Sequence, residues 1–228
     1  MDWQSMRRAA HRRGAAKYDA TEAAAYGRQQ GLGWLTPEEE AAYLADLRPL
    51  LELPPGSAVI DVGAGSGVMC SLLRRLPGIE LSALEPSTAM SAQLVARPEL
   101  ADVNVINGFC DEPESRDQLP QAHFDALVAR QLVNTLFDPL QAFRHWLHWL
   151  KPGGAAVVID GLYGRDGYSG RWAEEVDVLP LSAMQSLATV PYLLEASGFR
   201  IDYVQRMTAV NALPTTRTPR YVVLARRP

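Results

Sequence analysis

Three glycines at alternate positions, Gly63, Gly65 and Gly67, follow the apolar run Ala58 to Val62, and an amphipathic helical pattern starts directly behind them. Glycine lets the backbone turn tightly and approach a ligand, and the free N–H groups of the following turn suit a nucleotide-like group. Such a turn is shared by several kinds of site, so spacing must decide. Here the spacing is G-x-G-x-G, with Asp61 two residues before the first glycine. The dinucleotide fingerprint G-x-G-x-x-G would need glycine where Val68 stands. The next apolar run ends in Glu85, whose carboxylate can accept hydrogen bonds from both hydroxyls of an adenosine ribose. Together these residues favour a cofactor with a ribose but no pyrophosphate.

Other side chains could act beside that turn. Arg130 and Gln131 follow the run Phe124 to Ala129, where a guanidinium could bind a substrate carboxylate or brace the turn. His11 lies in an N-terminal segment able to fold over the site and is a candidate base. His145 and His148 share a helical stripe with Gln141 and Arg144, read as a solvated face rather than a metal pair, and His123 is read as a surface loop residue. Trp3, Trp34, Tyr163, Tyr168 and Trp172 come from segments expected to flank an acceptor, where they could line it or pack in the core.

The elements that must carry these residues alternate in type. Candidate strands are Ala58 to Val62, Glu80 to Leu84, Val103 to Asn107, Phe124 to Ala129 and Ala155 to Asp160, then Arg200 to Met207 and Tyr221 to Ala225. Helical patterns fall at Ser66 to Leu76, Ser87 to Arg97, Pro139 to Leu150 and Met184 to Ser197, with Gly198 as a C-cap. This alternation predicts an α/β, Rossmann-like doubly wound, mostly parallel seven-stranded sheet. The stretch Thr208 to Pro219 holds no helical pattern for a crossover, so the last two strands should form an antiparallel C-terminal hairpin. Before Gly56 the texture is helical and alanine-rich. Thr36, Pro37 and Glu39 signal a helix start, and that helix is expected to run to Leu51. The expected organisation is one domain over 1–228, with an N-terminal helical cap at 1–55 and the core at 56–228. The glycine-bearing stretch Gly161 to Gly170 would form part of the cleft wall.

Composition narrows the class. The 228 residues hold 22 basic and 26 acidic side chains, a net charge of −4, which speaks against a nucleic-acid partner. Two cysteines, Cys70 and Cys110, make neither a disulfide framework nor a zinc site. No run is long and apolar enough to span a membrane, and no secretory signal opens the chain, so a cytoplasmic location is expected. Arg7 to Lys17, rich in Arg and Ala and free of acids, resembles a transit peptide in composition but is read as a surface helix.

The residues from Val59 to Gly67, Glu85, Phe124 to Val128, Asp138-Pro139, and Leu150 to Gly154 stand in an order that resembles the class I S-adenosylmethionine-dependent methyltransferases of the small-molecule type. The resemblance covers roughly residues 17 to 160. It implies S-adenosylmethionine as cofactor, with Gly63, Ala64 and Gly65 beneath its methionine part, Asp61 orienting the turn or meeting its amino group, and Glu85 on the ribose. It also implies Pro86 beside the adenine, Phe109, Cys110 and Asp111 in the adenine-contacting loop, and Arg130 and Gln131 at the methionine end. Tyr18 would cover the cofactor carboxylate. The Gly108-Phe109-Cys110 sequence departs from the family pattern at the adenine contact. The expected activity is methyl transfer to a small organic acceptor at O, N or C, by a monomer or homodimer. The alternatives are a non-catalytic cofactor-binding regulator and a nicotinamide oxidoreductase, the latter opposed by Val68. The Ala129-Arg130-Gln131-Leu132 turn lacks the Asp/Asn-Pro-Pro-aromatic signature of DNA amino-methylating enzymes and the acidic ligands of metal-dependent catechol methyltransferases, so the resemblance implies no metal.

Overall fold

The computed structural model describes residues 2–168, 173 and 176–228. Three helices come first: α1 (Trp3–Lys17), α2 (Ala20–Gly27) and α3 (Pro37–Leu47). The sheet strands are β1 (Ala58–Val62), β2 (Glu80–Leu84), β3 (Asn104–Ile106), β4 (Phe124–Arg130), β5 (Leu150–Gly161), β6 (Arg200–Arg206) and β7 (Arg220–Arg226). Between them lie α4 (Val68–Leu73), α5 (Thr88–Val95), α6 (Pro113–Gln118), α7 (Pro139–Trp149), α8 (Thr189–Ala196) and α9 (Thr208–Asn211).

The seven strands lie in the order β3-β2-β1-β4-β5-β7-β6. β1 pairs in parallel with both β2 and β4, whereas β7 runs antiparallel between β5 and β6. The doubly wound sheet ending in an antiparallel β6–β7 hairpin, with β7 alone reversed, is therefore the architecture expected from the alternation of patterns. Strand order changes direction between β1 and β4, and a crevice must open beyond the carboxyl ends of strands at such a point. β1 delivers Gly63 there and β4 delivers Arg130.

Alternate residues of each central strand feed two cores, because successive side chains point to opposite faces. Val59, Val128 and Val157 join Tyr43, Leu47 and Leu73 on one face. Ile60, Leu127 and Val158 join Phe143, Trp146, Trp149 and Leu194 on the other. Each fully buried aliphatic or Phe side chain contributes roughly 1.5–3 kcal/mol, so the two layers fix the sheet that carries the crevice.

The start of α3 forms as its residues dictate. Thr36 Oγ1 accepts from Glu39 N at 3.2 Å while Glu39 Oε2 accepts from Thr36 N at 2.9 Å. Its end differs from expectation: the α-helix stops at Leu47 and Arg48–Leu50 forms a 3-10 turn. Pro49 has no N–H to continue the ladder. α8 begins at Thr189 rather than Met184, and α4 is shorter than the Ser66 to Leu76 pattern. The stretch read as holding no helix contains α9, whose first amides donate to Asp46 of α3 at 3.0–3.1 Å. That cap comes from a distant element, so local sequence could not announce it. α6 was not anticipated either. Among the described residues no helix is long and apolar enough to cross a membrane.

Candidate functional site

The turn after β1 exists because its glycines adopt left-handed backbone. Gly63 has φ +71° and Gly65 φ +55°, conformations costly for residues with a Cβ. A Cβ at Gly63 would also lie 2.7 Å from Leu132 Cδ1. Gly63 N and Ala64 N donate to Leu84 O at 2.8 and 3.2 Å, which ties the turn to the end of β2.

Glu85 strengthens that tie. Its Oε2 accepts from Gly65 N at 2.9 Å and its Oε1 from Ser87 N at 2.8 Å. Burial pushes its pKa up, while the amides of Ser87 and Gly65 hold it back. A carboxylate offers about four acceptor directions, so both oxygens keep capacity for hydroxyl donors in the cleft they line.

Asp61 is fully buried. Its Oδ2 accepts from Cys70 Sγ at 3.2 Å, but its Oδ1 has no partner. Burial raises its pKa to about 7, against the opposing pull of the Cys70 thiol and the nearby Arg130 charge. With Ala64, Gly63, Gly65, Tyr26 and Arg130 it lines a small recess adjoining the main cleft. A buried carboxylate oxygen left unpaired is costly, and a cationic amino group placed in that recess would satisfy it.

The main cleft gathers Tyr18, Gly63, Gly65, Glu85, Pro86, Phe109, Cys110, Asp111, Arg130 and Gln131, together with His11. Asp61 and Ala64 lie in the adjoining recess, so all the expected site residues converge on one end of the sheet. Several lining residues were not foreseen, among them Tyr26, Ser87, Thr135 and Phe137. Asn107 was also missed. Its Nδ2 donates to Glu85 O at 2.9 Å and Pro86 O at 3.2 Å, fixing the segment after β2. Ser87 could have been noticed as the expected start of a helix, and its Oγ donates to Tyr18 O at 2.8 Å. Gln131 has φ +55°, rare for a non-glycine residue and a source of local strain at the β4 exit.

His11 is not disposed as a base. Its Nε2 lies 2.8 Å from Asp111 Oδ1 and its Nδ1 2.7 Å from Glu112 Oε1, while the ring stacks on Phe109 at 4.3 Å. Burial disfavours the charged ring, but the two carboxylates outweigh it and raise the pKa. The ring clamps α1 to the loop after β3. Arg130 donates to Gly31 O, and its guanidinium carbon lies 5.1 Å from the Tyr43 ring centroid, so it ties the end of β4 to the N-terminal segment rather than to its own turn.

The histidine stripe on α7 needs correction. His145 is buried, with Nδ1 2.9 Å from Cys110 O and Nε2 2.7 Å from Gln141 Nε2. The loop after β3 covers that face, which helical periodicity alone does not reveal. The expected aromatic lining also divides. Trp3 packs at a tilt against Phe137 and donates to Asp138 Oδ2, while Trp34 donates to Arg28 O. Tyr168 donates to Ser182 O, and Tyr163 lines a neighbouring cavity rather than the main cleft. Trp172 and Gly170 lie outside the described residues.

Residues 37–204 match the family model described as a methyltransferase domain. A demethylmenaquinone methyltransferase of Chlorobaculum parvum is 26% identical over 108 residues, 47% of this chain and 42% of that protein. An arsenite methyltransferase of Aquipseudomonas alcaligenes is 29% identical over 138 residues, 57% of this chain and 40% of that protein. The chain thus spans about two-fifths of the length of these relatives. Among solved structures, a SAM-dependent methyltransferase from Aquifex aeolicus superposes with TM-score 0.65 at 19% identity, covering 93% of this chain and 100% of that one. Phosphoethanolamine N-methyltransferase 2 of Haemonchus contortus, in complex with S-adenosyl-L-methionine, gives TM-score 0.67 at 16% identity over 93% of this chain and 58% of that one.

Proposed function

The chain belongs to the S-adenosylmethionine-dependent methyltransferases, and from that membership we propose that it transfers a methyl group from S-adenosylmethionine to a small organic acceptor at oxygen, nitrogen or carbon. The observation that carries this reading is the unpartnered, fully buried Asp61 Oδ1, set in a recess between the glycine turn and Arg130. It asks for a cationic donor, as the amino group of a methionine moiety provides. Glu85 at the other side of the turn suits ribose hydroxyls, and Pro86, Phe109, Cys110 and Asp111 would border the adenine. Tyr18 and Gln131 would meet the methionine end.

When bound, the cofactor supplies a methyl carbon on a sulfonium. The protein's own share is to hold an acceptor in line with that carbon and to exclude water. Alignment of this kind is worth effective molarities of about 10⁵ M or more. His11, held between two carboxylates, contributes the closed cap rather than a proton acceptor. We take residues 1–55 as that cap and 56–228 as the core of one domain. The names of the relatives speak of demethylmenaquinone, arsenite and phosphoethanolamine, so the acceptor must be read from this chain's own cavities.

Calorimetric titration of the dialysed protein with S-adenosylhomocysteine, and separately with NADH, tests the reading. Binding of the first alone is expected; binding of NADH alone would overturn it. Transfer of labelled methyl to a panel of small acceptors then separates an enzyme from a cofactor-binding regulator.

A further inference from the structure

Beyond Arg130 the sheet edge carries a second cavity, between the Gln30 to Leu35 segment, Tyr43 and Tyr163 on one side and the connection before β7 on the other. We infer that this cavity holds an anionic end of the acceptor, a carboxylate or phosphate bound by Arg220 with Arg217. The inference rests on the methyl-transfer reading and adds the chemical class of the acceptor.

Arg220 opens β7 opposite Gly161 in the antiparallel register. Its guanidinium lies directly over that glycine: a Cβ there would come within 2.7 Å of Arg220 Nη1 and of Tyr163 Cζ. Nη1 donates to Tyr163 Oη at 2.5 Å, and the guanidinium carbon stands 5.5 Å from the Tyr163 ring centroid. The fork is thus fixed before any ligand arrives, which lowers the entropy lost on binding.

What the fork lacks is a counter-ion. Among the described residues neither Arg220 nor Arg217 has a carboxylate within 4.0 Å. Glu39 stands on the wall, yet its oxygens are taken by Thr36 N, Gln30 Nε2 and Thr215 Oγ1. Asp160 is nearby, but its oxygens accept from Gly161 N and Asn134 N. A half-buried guanidinium with no carboxylate in contact favours an incoming oxyanion, and its planar fork matches carboxylate or phosphate. Leu32, Leu35, Val210 and Leu213 supply an apolar surface for a hydrocarbon body.

The cavity also stands in the right place. Gly31 and Tyr43, which line it, are the two groups that hold the Arg130 guanidinium, while Arg130 itself lines the main cleft. Leu32 lines both this cavity and the recess beside Asp61. An acceptor anchored on Arg220 would extend its reactive atom past Leu32 toward the cofactor.

Benzoate, phenyl phosphate and neutral benzamide serve as probes in calorimetric titrations of protein saturated with S-adenosylhomocysteine. At least one anion should bind about tenfold or more tightly than benzamide, the ratio that about 1.4 kcal/mol provides. The preferred anion tells carboxylate from phosphate. Arg220→Gln should weaken that anion about tenfold or more, by the same relation. Arg217→Gln and Tyr163→Phe should weaken it less, and Arg200→Gln, remote and paired with Asp202, should leave it unchanged. Thermal melts confirm that each variant is folded, and should Arg220→Gln fail to fold, Arg217→Gln and Tyr163→Phe decide. No anion binding, equal binding of benzamide, or undiminished binding in the folded variants overturns the inference. S-adenosylhomocysteine affinity is read separately, so its failure would count against methyl transfer while the anion titration still reports on the cavity.

Discussion

Asp61 and Glu85 sit at strand ends at fixed sequence distances from the glycines, which is why both are legible in the sequence. Their states are not. Burial raises Asp61 to about 7, so between about pH 4 and 7 the free protein holds a proton that the unfolded chain, with an ordinary carboxyl, has released. The sign follows: the free protein loses stability as pH rises from about 4 toward 7, because the folded state binds more protons there. A cationic amino group prefers the ionised form, so S-adenosylhomocysteine affinity should rise as pH climbs through about 7. Asp61→Asn should flatten this dependence and weaken binding by about 1.5–3 kcal/mol, the worth of a hydrogen bond to a charged group. Calorimetry at several pH values checks both. Glu85→Ala should cost about 1–3 kcal/mol of cofactor affinity, and Glu85→Gln less, since the amide oxygen can still accept one backbone bond. Undiminished affinity in Glu85→Ala would remove it from the ribose. Asn107 and the Ser87–Tyr18 contact were illegible because their partners are backbone carbonyls brought close by the fold.

At the scale of elements, periodicity identified the strands well because each buries alternate residues, and it failed where one element borrows from another. The α7 stripe illustrates this: Gln141 and His145 look solvated by spacing, yet the loop after β3 covers His145. The amides at the start of α9 rely on Asp46 of α3 in the same way. α1 is held down by an equally remote device, the His11 clamp on Asp111 and Glu112, with Arg7 donating to Asp111 O at 3.3 Å. Because the folded pKa of His11 is raised, its contribution is fully present below the ordinary histidine value and is lost as pH rises through the raised one. Limited proteolysis within 1–17 should therefore accelerate as pH is raised above about 6.5. His11→Ala should be cut rapidly at every pH and lose about 1–3 kcal/mol of stability, because the buried Asp111 Oδ1 loses its His11 contact. Equal cleavage of both proteins at low pH would refute the clamp.

For the whole molecule, the sheet order and the two apolar layers fix where the crevice opens, and a ligand that binds only the folded state must stabilise all of it. S-adenosylhomocysteine at 100 times its dissociation constant should add about 2.7 kcal/mol, a rise in melting temperature of roughly 5–10 °C for a chain of this size. NADH should add nothing, and a thermal scan distinguishes the two. Arg130 stands between the main cleft and the second cavity, gripped by groups that line the latter. A partition of this kind communicates: an occupant that shifts the guanidinium on one side alters the welcome offered on the other. Thermodynamic linkage then requires reciprocity, so whatever factor the spent donor imposes on anion affinity, the anion must return to the spent donor.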